Sequence, residues 1–132
     1  MEISMEEMFK LGDLSLAEPK TIAEAAATVL DNKKGIDVKI LPVASKIDIV
    51  DYFVVCSGTS NTHIKALADE IEYQLCEAGL KLKSYEGRGN NTWILVDFGE
   101  VVIHVFSREA RDFYNIEKLY RETSATADEQ AD

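Results

Sequence analysis

TWILVDFGEVVIHVFSR, residues 92–108, is the stretch whose reading decides the fold. β-Branched and aromatic residues fill two arms on either side of Gly99-Glu100, and a glycine stands where a reversed-twist turn needs one. Setting Phe98 against Val101 across that two-residue loop fixes the register. Val96 then lies opposite Ile103, and Ile94 opposite Val105, which makes one face wholly aliphatic. The other face carries Trp93, Leu95 and Asp97 on the first arm and Val102, His104 and Phe106 on the second. An indole, a carboxylate and an imidazole among apolar neighbours make this a candidate working face. The pattern is also compatible with a helix covering it over Leu95, Val102 and Phe106.

The remaining chain is sized for one domain. Its 132 residues, 46% hydrophobic and 8% aromatic, suffice to bury a core. No apolar run approaches a membrane span, and no signal or transit pattern opens the chain. Cys56 and Cys76 stand far apart and are expected as reduced thiols of a cytoplasmic protein. The net charge of −10 is concentrated towards the ends, so the folded part is expected to be only mildly acidic. With no basic face, docking on bare nucleic acid is disfavoured, whereas a basic protein partner suits the charge.

In chain order, residues 1–18 form a weakly amphipathic N-terminal extension, 19–122 the domain, and 123–132 a small, polar, acidic tail expected to be disordered. A helix is expected from Pro19 through Leu30, closed by Asn32-Lys33-Lys34-Gly35. The alternating run at 36–41 predicts a half-buried strand ended by Pro42, and the apolar run at 52–57 a central strand. Ser60 is the expected N-cap of a helix carrying Ile64, Leu67, Ala68, Ile71 and Leu75 on one stripe, stopped by Gly79. A strand from Lys81 to Glu86 leads through the loop at 87–91 to the hairpin. Arg108 to Tyr120 follows as a last helical region, with Phe113, Ile116, Leu119 and Tyr120 as its apolar contacts. The sum is a mixed five-stranded sheet with packed helices, an α/β or α+β domain.

Candidate chemistry is sparse. The turn Ser57-Gly58-Thr59-Ser60 enters a helix, where backbone N–H groups can hold an anion. It lacks both the P-loop ending and a following Asp-x-Asp or Asp-x-Glu pair. A capped turn is therefore the favoured reading, with a small nucleotide-binding or nucleotidyl-transfer enzyme as the alternative. The two histidines, His63 and His104, and the two cysteines have no short ligand spacing, so no metal, cofactor or catalytic residue is expected. His104 reads as a hydrogen-bonded structural or binding histidine, with Asp97 only diagonally near it. Trp93 divides evenly between core and interface by residue type, and its mixed neighbours tilt it to the interface.

Three ordered blocks then carry a likeness. They are Asp51-Tyr52-Phe53-Val54-Val55-Cys56-Ser57-Gly58-Thr59-Ser60 with His63, the run Trp93–Phe106, and Arg111, Phe113-Tyr114 and Glu117-Lys118-Leu119-Tyr120. Together they resemble the ribosomal silencing factor S, or Iojap-like, family over about residues 20–122. Tyr120 stands where the family usually has Trp, and Ile116 where it has Leu; both keep an apolar contact. The resemblance implies a fold related to nucleotidyltransferases without their catalytic acids. It further implies a non-enzymatic translational repressor that binds the large ribosomal subunit through its fourteenth protein and blocks subunit joining, with a part in late large-subunit assembly. By match to the blocks, the partner-binding residues are Trp93, Asp97 and His104, joined by Tyr85, Glu86, Arg111 and Tyr114. A homodimer off the ribosome is also compatible with such a face.

Overall fold

The computed structural model describes residues 11–43, 49–87 and 92–118. Expectations for the first ten residues, and for Leu119, Tyr120 and the acidic tail, lie outside that range. The element order is α1 (Pro19–Asn32), β1 (Ile36–Pro42), β2 (Tyr52–Gly58), α2 (Asn61–Glu77), β3 (Ser84–Glu86), β4 (Trp93–Asp97), β5 (Val101–Ser107) and α3 (Arg108–Tyr114). The strands form one mixed sheet in the order β1-β2-β5-β4-β3. β2 and β5 run parallel at its centre, and every other neighbouring pair is antiparallel.

The hairpin forms in the expected register: Ile94 lies opposite Val105 and Val96 opposite Ile103. Gly99 takes φ +92°, a conformation a side chain would resist, and Phe98 N–H donates to the Val101 carbonyl across the turn at 3.0 Å. The aliphatic face packs under both long helices. Ile22, Ala26, Val29 and Leu30 of α1 and Ile64, Leu67, Ile71 and Leu75 of α2 meet Val54, Cys56, Ile94, Val96, Ile103 and Val105 there. Leu14 joins this core from the stretch before α1, held by its N–H to the Ala78 carbonyl at 2.7 Å. Burial pushes the Cys56 thiol up to about 12, which makes it an inert core group.

Helix ends follow their caps. Pro19 opens α1, and Ser60 Oγ accepts from His63 N–H to open α2. At the close of α1 the left-handed position falls on Lys34 (φ 65°), while Gly35 N–H returns to the Leu30 carbonyl at 2.8 Å. The third strand is shorter than the expected 81–86 run, although Lys83 N–H still donates to the Asp97 carbonyl. The last helical region is divided. Asn115 adopts the left-handed conformation after Tyr114, and its side chain accepts from Lys118 N–H in a further turn at 116–118. This break corrects the expected role of Phe113. α3 turns Ala110 and Arg111 inward, two residues before it, so Phe113 projects outward and is 81% exposed.

β2 passes into α2 with little room. A Cβ on Gly58 would stand 2.7 Å from Ile64 Cγ1 and 3.1 Å from Ile64 N. Gly58→Ala is expected to cost about 1–3 kcal/mol, read as a lower urea midpoint, because backbone must shift to admit the methyl. Gly12→Ala, with nothing within 4 Å of its Cβ, should leave the midpoint within about 0.5 kcal/mol of wild type. Equal midpoints for the two variants would refute the close approach.

Candidate functional site: an aromatic ledge on the hairpin

The face opposite the long helices is a second, smaller core. Val43, Phe53, Val55, Val102, Phe106 and Ala110 are buried there, with Trp93, Leu95 and Ile116 half-buried around them. α1 packs on the other face, so it does not cover Trp93. The cover at this end is α3, which follows β5 without a loop because Ser107 ends the strand and caps the helix, its Oγ accepting from Ala110 N–H. The helix carries Tyr114 back over Trp93.

Four aromatic rings then meet in sequence. Trp93 lies opposite Phe106 in the strand pair, with ring centroids 4.9 Å apart, and its other neighbour is Tyr114 at 4.7 Å. Phe113 meets Tyr114 edge to face at 5.0 Å. Tyr114 is 52% exposed, so Trp93, Tyr114 and Phe113 form a ledge that grades from half-buried to open. Beneath it, Trp93 Nε1–H donates to His104 Nδ1 at 3.1 Å. His104 is only 4% exposed, packed edge-on against Phe53 at 4.5 Å, and burial lowers its pKa to about 4. The ring is neutral near pH 7.

The other expected site residues divide between the faces. Asp97 shares the Trp93 face, but its Oδ1 accepts from Gly99 N–H at 2.7 Å and braces the hairpin turn. Glu86, opposite Leu95, is exposed on the same face. Tyr85, opposite Val96, lies on the helix-covered face and donates its hydroxyl to Asp69 Oδ1 at 2.7 Å. Arg111 is buried. Its guanidinium donates to the carbonyls of Ile36 and Asp37, to Ser57 Oγ and to Glu117 Oε1. A bulge in β1, with Asp37 at φ 52°, turns those two carbonyls out of the ladder towards it. Arg111 thus holds α3 in place under the ledge, while Trp93, Tyr114 and Glu86 reach the surface.

At the turn 57–60 and the start of α2 three backbone donors are engaged. Thr59 N–H donates to His63 Nδ1 at 2.9 Å, His63 N–H to Ser60 Oγ, and Ile64 N–H to the Ser60 carbonyl. Since Nδ1 accepts, His63 carries its proton on Nε2 and donates it to the Lys33 carbonyl, joining α2 to the end of α1. A cavity of about 210 Å³ beside this turn is lined by Gly58, Thr59, Ser60, Ser107 and Arg108. Among the described residues no cluster of three His, Cys, Asp or Glu could hold a metal ion, and no helix is long and apolar enough to cross a membrane.

Sequence reasoning missed Phe113 as a surface group. Its spacing from Ile116 fits one helical stripe, and the sequence offers no local signal against that reading.

Fold and site define a small α+β domain that presents an exposed aromatic ledge. The family model described as "Ribosomal silencing factor during starvation" matches residues 16–132. The chain is 40% identical over 101 residues to the Ribosomal silencing factor RsfS of Bacillus subtilis, covering 76% of this chain and 86% of that one. It is 32% identical over 97 residues to the mouse protein named Mitochondrial assembly of ribosomal large subunit protein 1, covering 70% of this chain and 42% of the mouse protein. A crystal structure of a Chromobacterium violaceum protein superposes with a TM-score of 0.76 at 36% identity, covering 78% of this chain and 86% of that one. The chain belongs to the ribosomal silencing factor family.

Two groups tie stability to pH. Between the ordinary histidine value of 6.5 and about 4, the unfolded chain binds a proton that buried His104 refuses, so stability falls as pH drops through that interval. Glu117 is held below its ordinary 4.5, chiefly by the hydrogen bond from Arg111, so its contribution is full above 4.5 and lost as pH falls through its folded value. Urea midpoints should therefore decline on acidification, with His104→Phe removing part of the decline between 6.5 and 4.5 and Glu117→Gln part of that below it. Wild-type and His104→Phe midpoints that run parallel across the upper interval would contradict the low value for His104.

Proposed function

We propose that this chain represses translation by occupancy, docking its aromatic ledge on the large ribosomal subunit through that subunit's fourteenth protein and so blocking the small subunit from joining. No bond is made or broken. The observation that carries this reading is the ledge itself: Trp93, Tyr114 and Phe113 exposed in a graded row, stiffened from below by His104. Exposed aromatics of this kind are the usual anchors of protein recognition, because a large rigid ring leaves water at little entropic cost. Glu86 and the mild acidity of the folded part suit a basic ribosomal protein, where they favour orientation and on-rate. Family membership supports the ribosome as target, and the printed name of the mouse relative supports the large subunit and a part in its assembly. Such action belongs in the cytoplasm, with the ribosomes. Off the ribosome the ledge is free to pair with a second copy, which sizing at several protein concentrations would detect.

Co-sedimentation with separated subunits tests the reading. Wild type should travel with large subunits alone and prevent them from pairing. Trp93→Ala should weaken that binding by about 2 kcal/mol or more, and Phe113→Ala by about 1 kcal/mol or more, both with the fold intact. Unchanged affinity in both folded variants would move the contact off the ledge, and failure of wild type to bind would end the ribosomal reading.

The rival reading, nucleotide chemistry at the 57–60 turn, makes a separate prediction. ATP or GTP with magnesium should leave the melting temperature unchanged, since the N–H groups of Thr59, His63 and Ile64 are already engaged. A ligand-dependent rise would favour the rival.

A further inference from the structure

His104 poses a problem that stability does not answer. Its Nδ1 accepts from the indole of Trp93, so the neutral ring carries its proton on Nε2. That nitrogen is buried and finds no hydrogen-bond partner among the described residues. A buried N–H left unsatisfied is costly, and a phenylalanine would fill the same space between Phe53 and Phe106 without the cost. Nor can His104 meet a partner directly, being 4% exposed beneath the surface rings. What imidazole supplies and phenyl does not is an acceptor, held on a central strand, for the one polar atom of a half-buried indole.

We infer that His104 is a positioning residue for Trp93: its buried imidazole fixes the orientation of the indole, and thereby the Trp93–Tyr114 ledge, without touching the partner. Trp93 sits on β4, with Phe106 on one side at 4.9 Å and Tyr114 on the other at 4.7 Å. Ring packing favours tilted and offset geometries but gives the indole N–H no partner. The bond from Nε1–H selects one orientation, and Tyr114 packs against the result. A ledge ordered before binding loses less freedom when it binds, so His104 contributes to affinity through preorganisation. This rests on the docking role proposed for the ledge, and the test separates the two.

Trp93 is the single tryptophan of the chain, so its fluorescence reports this ring alone. His104→Phe keeps a buried ring and removes the acceptor. His104→Asn keeps an acceptor, because its amide oxygen Oδ1 can occupy the place of Nδ1. Time-resolved anisotropy of Trp93 and large-subunit affinity are measured for both variants in the full chain, with Trp93→Ala alongside for affinity. His104→Phe removes the unpaired Nε2–H but takes the acceptor from the indole N–H, so it should fold about as stably as wild type near pH 7, show faster local depolarisation, and bind about fivefold more weakly. His104→Asn should recover most of the wild-type anisotropy and affinity. A folded His104→Phe with wild-type anisotropy and affinity overturns the inference, as does equal loss in both variants, which would reduce His104 to packing. If His104→Phe does not fold, His104→Leu removes the acceptor in its place. Should Trp93→Ala weaken binding while His104→Phe changes neither readout, the docking role stands and the positioning role fails. Should the anisotropy respond as expected while neither substitution alters affinity, the positioning of Trp93 stands and the docking role fails.

Discussion

The guanidinium of Arg111 reaches from α3 across the end of the sheet to the carbonyls of Ile36 and Asp37, the hydroxyl of Ser57 and the carboxylate of Glu117. These partners come from three separate parts of the chain: the bulged start of β1, the end of β2, and the turn beyond Asn115. A buried charge must be compensated by partners of this quality, and removing any one leaves the others exposed to the full desolvation cost. The arrangement therefore fixes α3 against the sheet more tightly than the single small side chain of Ala110 could. Tyr114 lies one helical turn beyond Arg111, so the position of the ledge is inherited from this clamp. The exposed surface depends on a charge that is itself withdrawn from solvent.

The two faces of the sheet use different physics. Beneath α1 and α2 the contacts are aliphatic, non-directional and tolerant of small shifts, which suits a face whose task is burial. On the other face aromatic rings share the contact with aliphatic side chains, and one hydrogen bond joins two of the rings. β2 and β5 join the two, since parallel strands buried on both sides give the central pair little freedom. His104 stands on this pair and Trp93 on the strand beside it, so the indole is referred to the most rigid part of the fold.

Much of this was legible in the chain. The hairpin register followed from the two-residue Gly99-Glu100 turn, because a slip of one residue would exchange Ile94, Val96, Ile103 and Val105 for the mixed set. Ser60 announced its helix through the capping chemistry of its own side chain. Non-local facts were hidden. The parallel pairing of β2 with β5 joins segments separated by α2 and two strands, and no local pattern encodes it. Arg111 matched a family block, but its burial depends on a bulge in β1 that frees two distant carbonyls. Tyr85 resembled a surface residue until the β3–β4 register set it opposite Val96, towards α2. Phe113 was misread because one asparagine in the left-handed conformation divides what hydrophobic spacing alone joins into one helix.

Exposed aromatic rings of this size invite non-specific association unless their surroundings oppose it. Here Arg108, Glu109 and Asp112 are exposed on α3 itself, and Glu86 on the edge strand β3. On the proposed reading these charges flank the docking of an apolar ledge, an arrangement in which apolar residues supply affinity and charges reject unsuited partners. These charges are mixed but mainly acidic, so on that reading the partner offers an apolar recess with basic margins. A second copy of the chain would bring the same acids against each other, whereas a basic protein would relieve their mutual repulsion. On the proposed reading, the preference for a ribosomal protein over self-association lies in those charges, and the strength of the contact lies in the rings.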